Sequence, residues 1–303
     1  MSTDKVPKLH ILIGLPGSGK STWASEDNAI ILSSDAYREK LLSNINDQSN
    51  NKLIFDTLQK DTITFLKEGK DVIYDATNIN RKNRKKVLNA VKDINCIKIA
   101  ELFMVPVEIC KYRNNQRDRK VPEEVIERML RNFELPLEGE GFDLINLHYT
   151  PSEQKLPYTS ILRKMMGFDQ KNPHHTLDLY SHCAKCYNKL SNLYQEGKLG
   201  ENHELVVAGL IHDFGKLYTQ TYNEEKGICQ YIGHENVGAY MAFYLNYKPL
   251  IVNQFKVAFY INYHMEPYRL KDAKESTLEK YKKMFGDEWD NIMYLHDADS
   301  EAH

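Results

Sequence analysis

Long hydrophobic runs are absent from this 303-residue sequence, which contains no uninterrupted apolar stretch of 18 residues. A transmembrane helix needs about 20 predominantly apolar residues, so the sequence gives no indication of one. The polar, proline-containing start over residues 1–8 also lacks the hydrophobic region of a secretory signal peptide. We therefore expect a cytoplasmic protein with no membrane partner.

An excess of charge of one sign is absent as well. The chain has 40 basic and 42 acidic residues and a formal net charge of −2. No overall positive field attracts nucleic acid, so any nucleic-acid site has to be local. Repeats and low-complexity segments are also missing, and the length allows two domains, each with its own core.

Cysteine is scarce, and the five cysteines form an odd, scattered set. They are Cys96, Cys110, Cys183, Cys186 and Cys229. This argues against a disulfide framework in a chain without an export signal, and we expect reduced thiols. Cys183 and Cys186 have the spacing of half a zinc site, but no second pair follows, so structural cysteines are expected.

A glycine-rich segment, Gly14-Leu-Pro-Gly-Ser-Gly-Lys20-Ser21, has the spacing of a phosphate-binding P-loop. The apolar run Leu9–Ile13 before it predicts a buried strand, and the residues after it can begin a helix. In such a loop, backbone N–H groups surround the phosphates of ATP or another NTP, while Lys20 reaches the β- and γ-phosphates and Ser21 holds Mg²⁺. A glycine-rich turn is the alternative. The predicted nucleotide-binding residues are Gly14, Pro16, Gly17, Ser18, Gly19, Lys20, Ser21 and Thr22.

Apolar runs of strand length alternate with helix-length polar segments in the first half of the chain. The runs are Leu9–Ile13, Ala29–Leu32, Asp71–Tyr74, Cys96–Phe103 and Phe142–Leu147. This alternation of strands and helices predicts an α/β domain over residues 1–150, with a parallel sheet and helices on both faces.

Polar side chains follow the second and third runs, where ligands bind in open α/β sheets. Asp35 is a candidate general base for an attacking hydroxyl, although it could also cap the next helix. Arg38, one helical turn on, could hold a phosphate of the acceptor. Asp75 is either a turn residue or a carboxylate near Mg²⁺. Three cations follow it, Arg81, Lys82 and Arg84.

These motifs resemble the kinase module of polynucleotide 5′-hydroxyl kinases over about residues 8–150. The matching segments are residues 14–23, 33–38, 75–78 and 113–122. The resemblance implies that Lys20 and Ser21 serve ATP and Mg²⁺. It also implies that Asp35 is the general base and that Arg38 holds the phosphate of the acceptor nucleotide. Kinases of small sugars or peptidoglycan precursors share the loop and the lid.

A cluster of cations between residues 111 and 120 precedes a helix that Pro122 can begin. The segment is either a solvated helix face or a lid over the nucleotide, and the density of arginines favours a lid. The resemblance assigns a donor contact to a lid arginine, and the motif does not choose between Arg113 and Arg117.

From Asn172 onward the hydrophobic periodicity becomes helical, which predicts a separate α domain over residues 170–303 after a linker over 151–169. The predicted helices are Thr176–Leu193, Glu204–Lys216, His234–Leu245, Leu250–His264 and Leu278–Ala302.

Histidines and carboxylates recur inside these helices, and each alone could be a surface or core residue. As a set they can converge on one or two metal ions, which would lower the pKa of a water for attack at phosphorus. The candidate ligands are His182, His212, Asp213, His234, His264 and Asp299.

This second set resembles the HD phosphohydrolase superfamily over about residues 170–303. The resemblance implies that His182, His212-Asp213 and a terminal Asp bind one divalent metal, and that His234 and His264 appear with a second metal. The terminal ligand is Asp299 or Asp297, with Asp299 the better match. Mn²⁺, Co²⁺, Ni²⁺ and Mg²⁺ all suit such a site. Lys216 could bind a phosphate or could cap its helix. His175 is a possible substrate contact.

The two resemblances together imply an end-healing enzyme for RNA or DNA with 5′-OH and 3′-phosphate or 2′,3′-cyclic phosphate ends. RNA is favoured, and an RNA ligase is a candidate partner. Two alternatives stay open at this point, because fold analogy does not fix a substrate. One is a small-metabolite kinase fused to an HD nucleotidase, and the other is a non-catalytic, nucleotide-sensing regulator.

Overall fold

The structure is a computed structural model, and it describes residues 5–44, 49–149, 155–171 and 176–302. The chain divides into two compact units. The first takes Met1–Met129 and Pro136–Thr150, and the second takes Leu130–Leu135 and Pro151–His303. The predicted domain limits stay predictions, and the predicted contact His175 lies outside the described residues. Among the helices in the described ranges, none is long and apolar enough to cross a membrane.

The first unit is an α/β domain with a five-stranded parallel sheet in the order β2-β3-β1-β4-β5, as predicted. Its elements are β1 (Lys8–Ile13), α1 (Lys20–Ser25), β2 (Ile30–Ser33), α2 (Ser34–Leu42), α3 (Asn51–Lys67), β3 (Val72–Asp75), α4 (Arg81–Ala90), β4 (Ile97–Met104), α5 (Val107–Asn115), α6 (Glu123–Arg131), a 3-10 helix (Glu138–Glu140) and β5 (Leu144–Tyr149).

The central strand β1 is buried from Leu9 to Ile13, as expected for a parallel strand covered on both faces. It lies between β3 and β4, so the loop that follows it opens at the middle of the sheet edge. On β2 and β3, Ser33 is paired in register with Asp75. The residues that follow these three strands therefore meet at one edge, where ligands bind in such sheets.

A buried polar cluster joins three strands of this sheet. Glu101 on β4 is 1% exposed, and its carboxylate lies 2.7 Å from His10 Nδ1 and 2.5 Å from His148 Nε2. Asn146 Nδ2 donates to the same carboxylate, and the ring of His148 stacks on Phe103. Burial alone would raise the pKa of Glu101, but these hydrogen bonds outweigh it and lower the pKa to about 2.

Arg84 on α4 is fully buried and forms a bidentate ion pair with Glu140 of the 3-10 helix, at 2.8 and 2.6 Å. The guanidinium also donates to the carbonyl oxygens of Asn78 and Ile79. Arg84, one of the cations noted after the third run, therefore stabilises this unit and does not face a ligand.

The second unit is mainly helical, as predicted. Its elements are β6 (Leu156–Pro157), α7 (Tyr158–Met165), α8 (Leu179–Gln195), α9 (His203–Ile211), α10 (Lys216–Thr219), β7 (Thr221–Asn223), β8 (Ile228–Gln230), α11 (His234–Ala242), β9 (Leu245–Asn246), α12 (Gln254–Tyr263), α13 (Glu266–Leu270), α14 (Glu275–Phe285) and α15 (Glu288–Ser300). The apolar helix α9 packs against α8, α12 and α15, so the residues at its end lie deep in the unit.

Three features of this unit differ from the prediction. The helix predicted over Glu204–Lys216 ends at Ile211, because a turn over residues 212–215 follows, and Lys216 begins the separate short helix α10 instead of capping the predicted one. The single helix predicted over Leu278–Ala302 is two helices, α14 and α15, because Gly286 between them has φ 56°, which favours glycine and ends a helix. Short strands also pair, β6 with β9 and β7 with β8. These strands are two or three residues long, too short to give a periodic pattern.

The segment Leu130–Leu135 is held in the second unit by side chains of α11 and α12. Asn236 Nδ2 donates to the carbonyl oxygen of Arg131 at 2.7 Å, and Leu135 N donates to Asn262 Oδ1 at 2.7 Å. The hydroxyl of Tyr263 donates to the carbonyl oxygen of Leu135. These contacts fix the backbone of the segment beside the helices that carry the candidate ligands His234 and His264.

Candidate active sites

The loop after β1 has the geometry of a phosphate cradle. Lys20 Nζ donates to the carbonyl oxygens of Gly14 and Leu15 at 3.0 and 2.9 Å, so the lysine lies across its own loop. Gly17 has φ 82°, and a Cβ there would meet the carbonyl oxygen of Cys110 at 2.3 Å, so a side chain does not fit. Burial lowers the pKa of Lys20, while Asp75 opposes that shift.

Two cavities adjoin this loop and share Lys20, Ser21 and Arg117 among their lining residues. One has a volume of about 580 Å³ and is bounded by Thr22, Trp23, Glu26 and Arg113. The other has a volume of about 460 Å³, and its lining residues include Asp35, Arg38, Asp75, Thr77, Arg119 and Arg128. Both cavities therefore reach the P-loop residues Lys20 and Ser21.

Asp35 occupies the first turn of α2, whose N-cap is Ser33, so the alternative that Asp35 caps this helix is wrong. Arg38 Nη1 donates to Asp35 Oδ1 at 3.1 Å, and Arg38 Nη2 donates to Asn51 Oδ1 at 2.9 Å. Arg38 is 7% exposed, yet it lines the cavity. The i, i+3 spacing on the helix brings the candidate base and the candidate phosphate ligand together.

Arg119 is a site residue that the sequence reasoning missed. Its Nη1 forms an ion pair with Asp35 Oδ2, opposite the oxygen that accepts from Arg38. The residue lies in the predicted lid cluster, but the pattern of charges gave no reason to select it over its neighbours. Arg117 lines both cavities, whereas Arg113 lines only the one beside Trp23, among the described residues.

Asn78 has a structural contact near the same site. Its Nδ2 donates to the carbonyl oxygen of Leu12 at 3.0 Å, and it is 3% exposed. Asp75, at the end of β3, lines the cavity with Lys20, and burial raises the pKa of its carboxyl. Asp75 therefore both ends β3 and lines the cavity beside Lys20.

The six candidate metal ligands come together in the second unit, although they lie on five helices or at their ends. His182 is on α8, His212-Asp213 follow α9, His234 begins α11, His264 follows α12 and Asp299 is on α15. Each of the six is at most 7% exposed. Asp297 is exposed, so the structure brings Asp299 and not Asp297 into the cluster.

Asp213 lies at the centre of this cluster and faces two groups of ligands. Its Oδ2 lies 3.5 Å from His182 Nε2 and 3.6 Å from His212 Nε2. Its Oδ1 lies 3.0 Å from His234 Nε2 and 3.5 Å from His264 Nε2. Asp213 can therefore bridge two metal positions.

Backbone carbonyl groups fix the orientation of three of these imidazoles. The Nδ1 atoms of His212, His234 and His264 lie 2.7–3.0 Å from the carbonyl oxygens three residues earlier in the chain. An Nδ1–H that donates to a carbonyl leaves Nε2 as the metal ligand, and such supporting bonds are typical of metal sites. Imidazoles and carboxylates in this arrangement fit one or two divalent ions.

Lys216 lies beside the cluster. Its Nζ is 2.6 Å from Asp213 Oδ2 and donates to Gln170 Oε1 at 2.9 Å. Burial would raise the pKa of Asp213, but Lys216 and His212 hold that pKa well below its usual range. The lysine is buried, and its ammonium group faces the metal positions, where it could bind a phosphate oxygen.

Tyr268 and Arg269 also adjoin the cluster, and the sequence reasoning did not find them. The hydroxyl of Tyr268 donates to Asp299 Oδ2 at 2.9 Å. Arg269 forms ion pairs with Glu235 and Glu266, next to the ligands His234 and His264. Neither residue belongs to a short motif, so only the folded chain identifies these contacts.

The P-loop and its two cavities are features of a P-loop kinase domain. The buried histidine–aspartate cluster in the helical unit is a feature of an HD domain. Residues 9–136 match the family described as AAA domain, and residues 174–292 match the HD domain family. The chain thus combines a P-loop kinase domain with an HD domain, which implies a nucleotide, Mg²⁺ and divalent metal ions.

Individual relatives share parts of the chain. It is 29% identical over 177 residues to L-seryl-tRNA(Sec) kinase of Methanococcus maripaludis, covering 54% of this chain and 66% of that protein. It is 30% identical over 149 residues to the CC-adding tRNA nucleotidyltransferase of Thermus thermophilus, covering 48% of this chain and 32% of that protein. The chain therefore spans about two thirds of the first relative and about one third of the second.

A solved structure also matches. A chain of the Pnkp1/Rnl/Hen1 RNA repair complex is 28% identical with a TM-score of 0.37, covering 42% of this chain and 44% of that chain.

Proposed function

We propose that the chain is a bifunctional RNA end-healing enzyme. Its kinase domain transfers the γ-phosphoryl group of ATP to a 5′-hydroxyl end. Its HD domain removes a 2′,3′-cyclic phosphate or 3′-phosphate from the other end. The two products, a 5′-phosphate and a free 3′-hydroxyl end, are the groups that an RNA ligase would join.

The observation that carries the kinase half is the position of Asp35 and Arg38 in a cavity that shares Lys20 with the P-loop. The 5′-hydroxyl oxygen forms a bond to the γ-phosphorus, the bond to ADP breaks, and Asp35 accepts the hydroxyl proton. Lys20 offsets charge on the phosphates of the donor. Arg38 would bind the 3′-phosphate of the first nucleotide, since a guanidinium is well suited to phosphate.

A donor nucleotide and its Mg²⁺ fit the other side of the loop. Ser21 would hold the ion, which neutralises charge on the β- and γ-phosphates. Arg113 and Arg117 face the cavity of about 580 Å³ and would contact the donor. An RNA acceptor agrees with one relative, which is named as a kinase of L-seryl-tRNA(Sec).

In the HD half, His182, His212, Asp213 and Asp299 would hold one divalent ion, and Asp213, His234 and His264 would hold a second. Bound ions of this kind lower the pKa of a water and neutralise phosphate charge. Lys216 would bind an oxygen of the scissile phosphate, because its ammonium group lies 2.6 Å from the central carboxylate. Tyr268 fixes the orientation of Asp299 through their hydrogen bond.

The proposal is tested with a short RNA that carries a 5′-OH and a 2′,3′-cyclic phosphate, incubated with ATP and Mg²⁺ or Mn²⁺. We expect wild type to modify both ends, Asp35→Asn to lose only 5′ phosphorylation and Asp213→Asn to lose only 3′ processing. Each variant is the control for the other. Turnover of free nucleotides or sugars with unchanged RNA ends would support a small-molecule enzyme, and no turnover of any kind would support a regulator.

A further inference from the structure

Helix α4 presents a dense group of cations, and the site described above does not use them. Its sequence, Arg81 to Ala90, contains five basic residues and no acidic residue. Lys82, Lys85 and Lys86 are exposed, whereas Arg84 is buried. We refer to these three exposed lysines as the α4 lysine tract.

The three lysines share one side of the helix and have no acidic partner. Residues at i, i+3 and i+4 are neighbours on a helix surface, which is the spacing of Lys82, Lys85 and Lys86. None of the three forms an ion pair or side-chain hydrogen bond within the part of the chain that the structure describes. Glu140, an acid that contacts α4, is already paired with the buried Arg84. The tract therefore keeps its positive charge uncompensated.

We refer to the cavity lined by Asp35 and Arg38 as the kinase cavity. The first turn of α4 is hydrogen-bonded to a residue that lines it. Asn80 caps the helix by accepting from the backbone of Asn83, and Asn83 Nδ2 donates to the carbonyl oxygen of Thr77 at 2.9 Å. Thr77 lines the same cavity as Asp35 and Arg38. The tract thus begins a few residues from the cavity wall, on a helix that this capping holds in place.

We propose that the α4 lysine tract binds the phosphate backbone of RNA that extends from the kinase cavity, beyond the first nucleotide. This inference rests on the proposed kinase function and deepens it, because it assigns residues that would bind the RNA strand outside the cavity. The chain has a net charge of −2, so no general field attracts RNA. A local group of unpaired cations next to the cavity supplies the attraction that the whole molecule lacks.

The size of the effect follows from counterion release. Each phosphate contact on a single strand contributes about 0.7 to the slope of log affinity against log salt concentration. Three lysines therefore contribute a slope of up to about 2. Between about 50 and 200 mM NaCl, a fourfold rise in salt, such a contribution corresponds to roughly a 16-fold loss of affinity.

The test compares two acceptors, a nucleoside 3′-monophosphate and a 5′-OH RNA of about 12 nucleotides. The variant K82A/K85A/K86A removes the tract, and K60A/K67A/K283A removes the same charge from exposed lysines elsewhere. We expect the first variant to raise KM for the RNA roughly tenfold at low salt and to leave kcat and the mononucleotide kinetics unchanged. The second should match wild type, and K82R/K85R/K86R should restore RNA binding.

Fluorescence anisotropy with the labelled RNA, over a series of NaCl concentrations, measures binding without catalysis. A slope of log affinity against log salt concentration that is smaller than that of wild type for K82A/K85A/K86A, and only for this variant, supports RNA binding by the tract. Three results would overturn RNA binding by the tract. They are an equal rise in KM for both acceptors, a salt slope of K82A/K85A/K86A equal to that of wild type, and the same change in slope for K60A/K67A/K283A. If wild type transfers no phosphate to either acceptor, the proposed kinase function fails, and the anisotropy comparison still decides whether the tract binds RNA.

Discussion

Arg119 and Asp35 form an ion pair although 84 positions separate them in the sequence. With Arg38 on the other carboxylate oxygen, the candidate base is held between two guanidinium groups. A carboxylate fixed in this way points at one position in the cavity. A substrate hydroxyl that replaces one of these contacts would meet an oxygen that is already oriented.

Removing Arg119 should weaken the kinase specifically. We expect Arg119→Ala to lower kcat by roughly 10- to 100-fold, because misplacing a catalytic group by about 1 Å can cost about 100-fold. Arg119→Lys should be intermediate, since lysine keeps the charge but not the planar fork. The rate of 5′ phosphorylation is the measurement, and 3′ processing by the same variant is the control. An increase in kcat would show that the ion pair only blocks Asp35.

Arg38→Ala should discriminate between acceptors. A hydrogen bond to a charged group contributes about 1.5–3 kcal/mol, so kcat/KM for an acceptor with a 3′-phosphate should fall about 10- to 100-fold. An acceptor without this phosphate should be affected much less. Steady-state kinetics with a nucleoside and its 3′-monophosphate check this. Equal losses for the two acceptors would contradict the assignment of Arg38 as a phosphate ligand.

Metal content should depend on Asp213 more than on any other ligand. After loading with Mn²⁺ and desalting, we expect up to two ions per wild-type chain, one for His264→Ala and none for Asp213→Ala. The reason is that Asp213 faces both ligand groups, whereas His264 faces one. Elemental analysis provides the count, and the kinase activity of each variant confirms a folded first unit. Two retained ions in Asp213→Ala would refute the bridging position.

Breaking the buried ion pair of the first unit should cost stability. We expect Glu140→Ala to lower the free energy of unfolding by about 3–5 kcal/mol, because Arg84 is left as a buried charge without its partner. Replacing both by apolar residues, as in R84M/E140L, should recover much of this loss. Urea denaturation measures the change. Glu68→Ala, which breaks the exposed pair with Lys70, is the control and should have a far smaller effect.

The Glu101 cluster predicts a pH dependence of stability. The folded-state pKa of about 2 lies below the ordinary value of 4.5, so the ionised carboxylate stabilises the fold above pH 4.5. This contribution, about 3 kcal/mol, should be lost as the pH falls from 4.5 towards 2. Glu101→Gln should therefore be less stable than wild type at pH 7, with a difference that narrows near pH 3. Denaturation at both pH values tests this, and a constant difference would rule it out.

Much of the first unit could be predicted from sequence because its signals are local. The P-loop spacing follows a buried strand, and the alternation of strands with helices is visible in the hydrophobic pattern. Asp35 and Arg38 meet because they are three residues apart on one helix. Arg119 reaches Asp35 only through the fold, and no spacing rule connects residues so distant in the chain.

The metal cluster was likewise predictable from sequence only in part. Periodicity predicted the helices that carry His182 and His234, and the resemblance to the HD superfamily selected the ligands. The distances around Asp213 depend on how five helices pack, which periodicity does not encode. Tyr268 was missed for that reason. The break at Gly286 was missed because apolar residues continue with helical spacing on both sides of it.

The segment Leu130–Leu135 determines how the protein can be dissected. It belongs to the second unit but lies between two stretches of the first, so no single cut in the chain separates the two units. A fragment ending at residue 150 would carry Phe133 and Leu135, both fully buried here, without the helices that cover them. A fragment starting at residue 151 would leave Asn262 without its backbone partners. Expressing either activity alone therefore calls for inactivating substitutions in the intact chain rather than truncation.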